Sequence, residues 1–328
     1  MTFTQGEKIF ILLTFALGGI IFLLTLPNNT AQLKNRQWEL QSIDTMKYSR
    51  DMARLGNQDS YSDEIAKQVE DVANSGANYI AIDTPYDDEF LPVLKKWVRA
   101  ARQHGLRVWF RGNFAGWEGW FGYAKIDRQT HIDQTKEFIL NNKDLFQNGD
   151  IFSSCPECEN GGERPNIGDP QAVAEYRQFL IAEYATTKDA FAAIHKDVAS
   201  NYFSMNADVA RAVMDKETTT QLDGLVVVDH YVMSTQQLAD DLEAISQQSG
   251  GDIVLGEVGA PIPDIHGNMN DQQQKEWVQG LLQKLTHVSK LRGINYWVNK
   301  GGSTALWRPD GTSKPAAGIL KSYYTKSY

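Results

Sequence analysis

Hydrophobic and polar positions along this chain follow two alternating patterns. Short runs rich in β-branched and aromatic residues are followed by longer stretches whose apolar residues recur three and four positions apart. The longer stretches predict amphipathic helices, as at Ile65, Val69 and Val72. The short runs predict eight strands: Glu39–Asp44, Tyr79–Asp83, Arg107–Arg111, Asp150–Ser154, Ser200–Ser204, Gly224–His230, Ile253–Glu257 and Gly293–Trp297.

Eight successive strand-then-helix units predict an α/β fold, a (β/α)8 or TIM barrel over residues 38–328. The length suits this fold, which typically takes about 250 residues before loop insertions. A doubly wound sheet is the alternative architecture. Its phosphate-binding turn needs a glycine-rich segment after the first strand, and the segment SIDTMKYSRD contains no glycine.

A different pattern precedes the barrel. The run Ile9–Leu26 is uncharged and mostly apolar, and at about 1.5 Å per residue it matches the hydrocarbon core of a bilayer. We predict a signal anchor, one transmembrane helix over residues 8–27, between a tail of residues 1–7 and a polar linker of residues 28–37. The alternatives are a cleaved signal peptide, whose apolar region is usually shorter, and a buried helix. We therefore expect the barrel outside the cytoplasm, attached to the cell membrane or, after cleavage, secreted.

The overall charge excludes one class of partner. A formal net charge of −9 argues against nucleic-acid binding, which depends on Lys and Arg neutralising phosphates. We expect a monomer.

The strand ends carry the candidate chemistry, because barrel enzymes place their active sites at the C-terminal ends of the strands. Glu257 ends the seventh predicted strand, and Glu157 and Glu159 follow the fourth. Two carboxyl groups about 5–5.5 Å apart are what retaining glycoside hydrolysis requires. The alternative for Glu257 is a structural ion pair with Arg111 or Lys47, since a carboxylate at the edge of a core needs a partner.

The order of these strand ends resembles a known group. The fourth strand is followed by Glu, the sixth by His230 and Tyr231, the seventh ends in Glu257 and the eighth in Trp297. This arrangement resembles that of the clan A glycoside hydrolases, the cellulase and mannanase type of (β/α)8 barrel. The resemblance implies that Glu257 is the nucleophile, that Tyr231 is its hydrogen-bonding neighbour, and that Trp297 supports the sugar at the cleavage point. It also implies that Arg111 stabilises the charge of the nucleophile.

The fourth strand departs from the usual motif of that group, Asn-Glu followed by Pro-Glu. Aligning PECE, residues 156–159, on that motif makes Glu157 the acid/base, with Glu159 as the alternative. Pro156 then replaces the Asn that normally binds the sugar 2-hydroxyl, so another residue must do so or the substrate differs. Asn160 is a further candidate for substrate contact.

Cys155 and Cys158 flank this candidate acid/base. A redox pair would need a thioredoxin-like context, and a zinc site would need four ligands, whereas the chain has two cysteines. We predict that they shape the loop, either as a disulfide or as free thiols. We expect no metal and no cofactor.

The third strand leads into an aromatic, glycine-rich loop, RGNFAGWEGWFGYAK, residues 111–125. Rigid aromatic faces and a few polar groups are what a small-molecule site uses, so we predict that Asn113, Trp117 and Trp120 contact a sugar. The alternative is a hydrophobic lid that packs on its own barrel. His230 is predicted beside the substrate, although a single His at a strand end is more often structural.

Together these features predict a retaining glycoside hydrolase that cleaves a β-linked poly- or oligosaccharide by double displacement. The alternative is a non-catalytic barrel that binds glycans.

Overall fold

The computed structural model of the protein describes residues 36–56, 59–161 and 164–326. Within these residues, strands and helices alternate along the chain. The strands are β1 Leu40–Asp44, β2 Tyr79–Ile82, β3 Arg107–Phe110, β4 Ile151–Phe152, β5 Ser204–Asn206, β6 Leu225–Asp229, β7 Asp252–Val258 and β8 Leu291–Tyr296. The helices are α1 Met46–Ser49, α2 Asp59–Asn74, α3 Leu91–Gln103, α4 Ala115–Glu118, α5 Arg128–Asn141, α6 Pro170–Ala193, α7 Ala207–Val213, α8 Lys216–Gln221, α9 Thr235–Ser249, α10 Pro263–His266, α11 Asp271–Leu285 and α12 Pro315–Tyr324.

The strands form one parallel sheet in the order β4-β3-β2-β1-β8-β7-β6-β5. The two outer strands, β4 and β5, approach each other through the segment before β5. Ile151 forms a parallel bridge with Ala199, and the Phe152 N–H donates to the Ala199 carbonyl at 2.8 Å. These contacts close the sheet, so the predicted (β/α)8 barrel is confirmed.

The fifth strand is the one whose predicted position differs most. The sequence predicts a strand at Ser200–Ser204, whereas β5 runs over Ser204–Asn206. Residues before Ser204 have the composition of a strand, but Ala199 pairs with β4 while residues 201–203 join no ladder. Local composition cannot distinguish these two arrangements, because the partner strand decides which residues pair.

The core has two layers because successive strand side chains point to opposite faces. One cluster fills the barrel interior and includes Leu40, Tyr79, Trp109 and Val254. The other lies between strands and helices. The side chain two residues beyond Trp109 is Arg111, whose guanidinium lies 5.3 Å from the Trp109 ring. An apolar floor therefore supports the polar groups at the C-terminal end of the barrel.

Among the described residues, no helix combines the length and the apolar character that crossing a bilayer requires. The predicted tail, the predicted anchor at residues 8–27 and the linker up to residue 35 lie outside the described residues.

Candidate active site

A buried guanidinium stands at the centre of the strand ends. Arg111, which follows β3, is 1% exposed. Its Nη1 donates to Asp44 at 2.8 Å and to Glu257 at 2.9 Å, and its Nη2 donates to Ser204 at 3.0 Å and to Asp229 at 3.2 Å. A buried charge is tolerated when it is paired and hydrogen-bonded, and Arg111 meets this condition through four different strands.

Glu257, near the end of β7, has a partner on each carboxylate oxygen. Oε1 accepts from Arg111, and Oε2 accepts from the Tyr231 hydroxyl at 2.9 Å. Burial raises the pKa of Glu257 to about 7, whereas the charge of Arg111 and the Tyr231 hydrogen bond favour the ionised form. These are the two contacts that the family resemblance implies for a nucleophile.

Glu157 lies in the loop after β4, opposite Glu257. A disulfide joins Cys155 to Cys158, and Glu157 within this small ring has a left-handed backbone with φ of 47°. Its N–H donates to the Ser204 carbonyl at 2.8 Å, which ties the loop to β5. One carboxylate oxygen of Glu157 and one of Glu257 lie within 4.8 Å of each other. Burial, and then the negative charge of Glu159, raises the pKa of Glu157 to about 7.

Glu159, the alternative acid/base, lies in the interior. Its Oε1 accepts from the backbone N–H of Asn206 at 2.6 Å and from the side-chain Nδ2 of Asn206 at 3.1 Å. Its side chain is fully buried, and it is not part of the cavity wall between Glu157 and Glu257. The geometry thus favours Glu157 over Glu159 as the group that can reach a substrate.

A cavity of about 160 Å³ opens at this end of the barrel. Its wall consists of Met46, Arg50, Asp83, Arg111, Glu118, Trp120, Pro156, Glu157, Asn160 and Glu257. The volume is below the roughly 300–1,000 Å³ of pockets for drug-sized ligands, so the space suits one sugar ring better than an extended chain. A wider cavity of about 520 Å³, around Trp38 and Arg292, lies at the opposite end of the barrel.

The predicted aromatic contacts separate into two groups. Trp120 lines the cavity, with the guanidinium of Arg50 4.6 Å from its ring. Trp297 is half-buried beside Tyr231, the residue that donates to Glu257, with ring centroids 6.2 Å apart. Trp117 is fully buried: its Nε1 donates to the Cys158 carbonyl at 3.1 Å.

The prediction that Trp117 contacts a sugar is therefore wrong. Its ring stacks on Phe179 of α6 at 5.4 Å, because the loop folds into α4 and turns this residue inward. Burying so large an apolar surface stabilises the fold more than an exposed platform would.

Asn113 also lies in the interior, which corrects its predicted role in substrate contact. Its Oδ1 accepts from the Phe114 N–H at 2.8 Å and lies 2.9 Å from Nε2 of His131. Its Nδ2 donates to Glu118 at 3.3 Å. Asn113 thus holds a cavity-lining carboxyl group in place rather than touching a ligand itself.

His230 lies outside the cavity wall, whereas Asn160 forms part of it. Nε2 of His230 lies 2.8 Å from Oδ2 of Asp241 on α9, and its predicted contact with substrate stays a prediction. Asn160 is exposed in the wall, and its N–H donates to the Glu157 carbonyl at 2.8 Å.

Sequence reasoning did not select Asp44 and Asp229, which hold Arg111 from β1 and β6. A signal for both existed, since each is an acidic residue at the end of a buried strand. In a closed barrel the strand ends lie close together, so these two acidic residues meet Arg111 at the end of β3.

The described residues contain one grouping of carboxylates that could bind a metal ion, formed by Glu157, Asp229 and Glu257, with oxygens within 4.8 Å of one another. Arg111 already donates to Asp229 and Glu257. The guanidinium thus already pairs with two of these three carboxylates, and the expectation of no metal stays a prediction.

No protein-family model matches the sequence, and no curated protein matches it. Solved structures do. A GH5_18 variant from Streptomyces cattleya in complex with Manβ1-4GlcNAc is 13% identical, with a TM-score of 0.66 over 87% of this chain and 80% of that one. This chain therefore shares the (β/α)8 barrel fold of that structure.

Two further solved structures have a similar fold. A GH5_18 variant from Bifidobacterium longum subsp. longum, also in complex with Manβ1-4GlcNAc, gives a TM-score of 0.64 at 14% identity, covering 87% of this chain and 77% of that one. The beta-glycosidase BGL167 gives 0.58 at 13% identity, covering 88% and 96%. At these identities the similarity is one of fold.

Proposed function

We propose that this protein is a retaining glycoside hydrolase that cleaves a β-linked oligo- or polysaccharide. The observation that carries the proposal is the pair Glu157 and Glu257, of which one carboxylate oxygen each lies within 4.8 Å of the other across a cavity of sugar-ring size. Retaining enzymes hold their two carboxyl groups about 5–5.5 Å apart, whereas inverting enzymes hold them about 6.5–9.5 Å apart. The fold shared with glycosidase structures supports the same conclusion.

In the first step, Glu257 attacks the anomeric carbon while the Glu157 carboxyl group gives its proton to the glycosidic oxygen. The bond between the anomeric carbon and that oxygen breaks, and the shortened sugar leaves as an alcohol. A covalent ester then links the remaining sugar to Glu257.

In the second step, the Glu157 carboxylate takes a proton from water as the water oxygen attacks the anomeric carbon. The ester bond to Glu257 breaks, which restores both groups. Two inversions at one carbon give net retention.

The contacts of the two carboxyl groups assign these roles. Glu257 receives donors from Arg111 and Tyr231 at 2.9 Å each, and both favour its ionised form. Glu157 lies beside Glu159 and Glu118, whose charges favour its protonated form. On these contacts we assign the acid role to Glu157 and the nucleophile role to Glu257, with the pair sharing one proton.

We also propose that the barrel works outside the cytoplasm, attached to the membrane through its N-terminal segment. The apolar run Ile9–Leu26 supports attachment. The Cys155–Cys158 disulfide supports an oxidising compartment, where disulfides persist.

The stereochemistry of the first product tests the proposal. With 4-nitrophenyl β-glycosides as substrates, proton NMR is expected to show the β-anomer of the released sugar before mutarotation. Appearance of the α-anomer first would refute the double displacement. Binding of these sugars with no turnover of any of them would instead support a non-catalytic glycan-binding barrel.

The pH dependence of kcat/KM is a further prediction. Activity needs Glu157 protonated and Glu257 ionised, and the pKa of each is raised to about 7. We expect kcat/KM to be maximal below pH 7 and to fall as the pH rises through about 7, where the last shared proton leaves. Glu157→Gln should abolish that alkaline fall. A rate that keeps rising from pH 7 to 9 in the unmodified protein would contradict the assignment.

A further inference from the structure

Two carboxyl groups in the cavity wall have no part in the proposed reaction. The first is Asp83, directly after β2, which is 4% exposed. Its Oδ1 lies 4.0 Å from Nη1 of Arg111, and its Oδ2 has no hydrogen-bond partner among the described residues. Burial, and then the charge of Asp44, raises the pKa of Asp83. A buried acceptor without a hydrogen bond costs free energy. A donor on a ligand bound in the cavity would therefore stabilise Asp83.

The second is Glu118, at the end of α4. Its Oε1 accepts from Asn113 at 3.3 Å, and Asn113 in turn lies 2.9 Å from His131. His131 Nδ1 is 3.3 Å from Oε2 of Glu183, a fully buried carboxyl on α6. Burial raises the pKa of Glu118 to about 7. The hydrogen bond from Asn113 thus holds the Glu118 carboxyl group in the wall.

The two guanidiniums of the wall are already paired. Arg111 donates to Asp44, Asp229 and Glu257. Nε of Arg50 donates to Asp51 at 2.8 Å while its guanidinium lies against Trp120.

Carboxyl groups therefore outnumber guanidinium groups in the cavity wall. Four carboxyl groups line it, on Asp83, Glu118, Glu157 and Glu257, against the guanidiniums of Arg50 and Arg111. Pro156, in the same wall, has no side-chain donor or acceptor. A ligand cation is attracted into such a space and a ligand carboxylate is repelled.

We propose that the sugar held in this cavity is an amino sugar with a free, cationic ammonium group, and that Asp83 and Glu118 determine this specificity. The inference rests on the proposed function and names its substrate class. On binding, the ammonium N–H groups donate to the carboxylate oxygens of Asp83 and Glu118. A neutral sugar offers hydroxyl donors without the charge, an N-acetylated sugar loses the charge, and a uronic acid adds a repulsive one.

The test compares 4-nitrophenyl β-D-glucosaminide, β-D-glucoside, N-acetyl-β-D-glucosaminide and β-D-glucuronide. We expect kcat/KM for the glucosaminide to exceed that for the glucoside roughly tenfold or more, with the glucuronide lowest. Asp83→Asn and Glu118→Gln should each reduce the glucosaminide-to-glucoside ratio. The matched control is Asp88→Asn, an exposed acid on the same loop, which should leave the ratio unchanged.

Binding gives a measurement that does not depend on turnover or on the variants folding. Calorimetric titration of the unmodified protein with free glucosamine and with glucose should show tighter binding of glucosamine, by a similar factor. A glucoside or glucuronide hydrolysed as well as the glucosaminide would overturn the inference and leave the glycosidase proposal standing. Equal binding of glucosamine and glucose would overturn it even if no glycoside were cleaved.

Discussion

Glu257→Gln is expected to lower kcat by at least about 10⁴-fold while the protein stays folded. Glutamine fills the same space and its amide oxygen can accept from Arg111 or Tyr231, but it cannot form the glycosyl ester. The measurement is kcat with a 4-nitrophenyl β-glycoside, accompanied by thermal unfolding of both proteins. A variant that keeps more than about a tenth of the activity would exclude Glu257 as the nucleophile.

Companion variants at the fourth strand distinguish the two candidate acids. Glu157→Gln should reduce kcat by about 10²–10⁴-fold, and by less when the leaving group is a weak base that needs no proton. Glu159→Gln is the matched control: it keeps an acceptor for Asn206 and should change kcat far less. The opposite ranking of the two variants would transfer the acid/base role to Glu159.

Arg111→Met is expected to have the largest effect on stability, lowering the free energy of unfolding by about 3–5 kcal/mol. The substitution leaves Asp44, Asp229 and Glu257 buried without their shared cation. Domains of this kind have a total stability of about 5–15 kcal/mol, so the loss approaches unfolding. Urea denaturation monitored by circular dichroism measures it.

The control for this prediction is Arg292→Met at the other end of the barrel. Arg292 pairs with Glu39 and Asp252, and these side chains are 48%, 65% and 38% exposed. Exposed pairs contribute about 0–1 kcal/mol because water screens them. A similar loss of unfolding free energy in both variants would show that the buried ion pairs of Arg111 contribute no more to stability than exposed ones.

The architecture was predictable because it depends on local periodicity. Alternation of strand and helix patterns identified eight strands, and seven overlap the observed ones closely, as at Leu40–Asp44 and Leu225–Asp229. The fifth strand was misplaced because its pairing depends on β4, which is distant in sequence. Sheet partners are a tertiary property that composition does not encode.

The site was predictable only in part. The rule that active sites lie at strand ends selected Arg111, Glu157 and Glu257, and the structure brings these three to one cavity. The same reasoning placed Trp117 on the surface of a sugar site, whereas Trp120, three residues later, lies in the wall. Both are tryptophans in one glycine-rich loop, and only the packing of α4 against α6 separates them.

The sequence by itself determined the (β/α)8 barrel, Glu257 and a second glutamate from the loop after the fourth strand, because side-chain period and strand ends can be read along the chain. Only the tertiary structure decided that Arg111 is shared by carboxylates from three strands, that Glu159 turns inward, and that Asp83 and Glu118 enter the cavity. These features depend on which side chains meet across a closed ring, and burial and charge pairing select among them after the strands have closed.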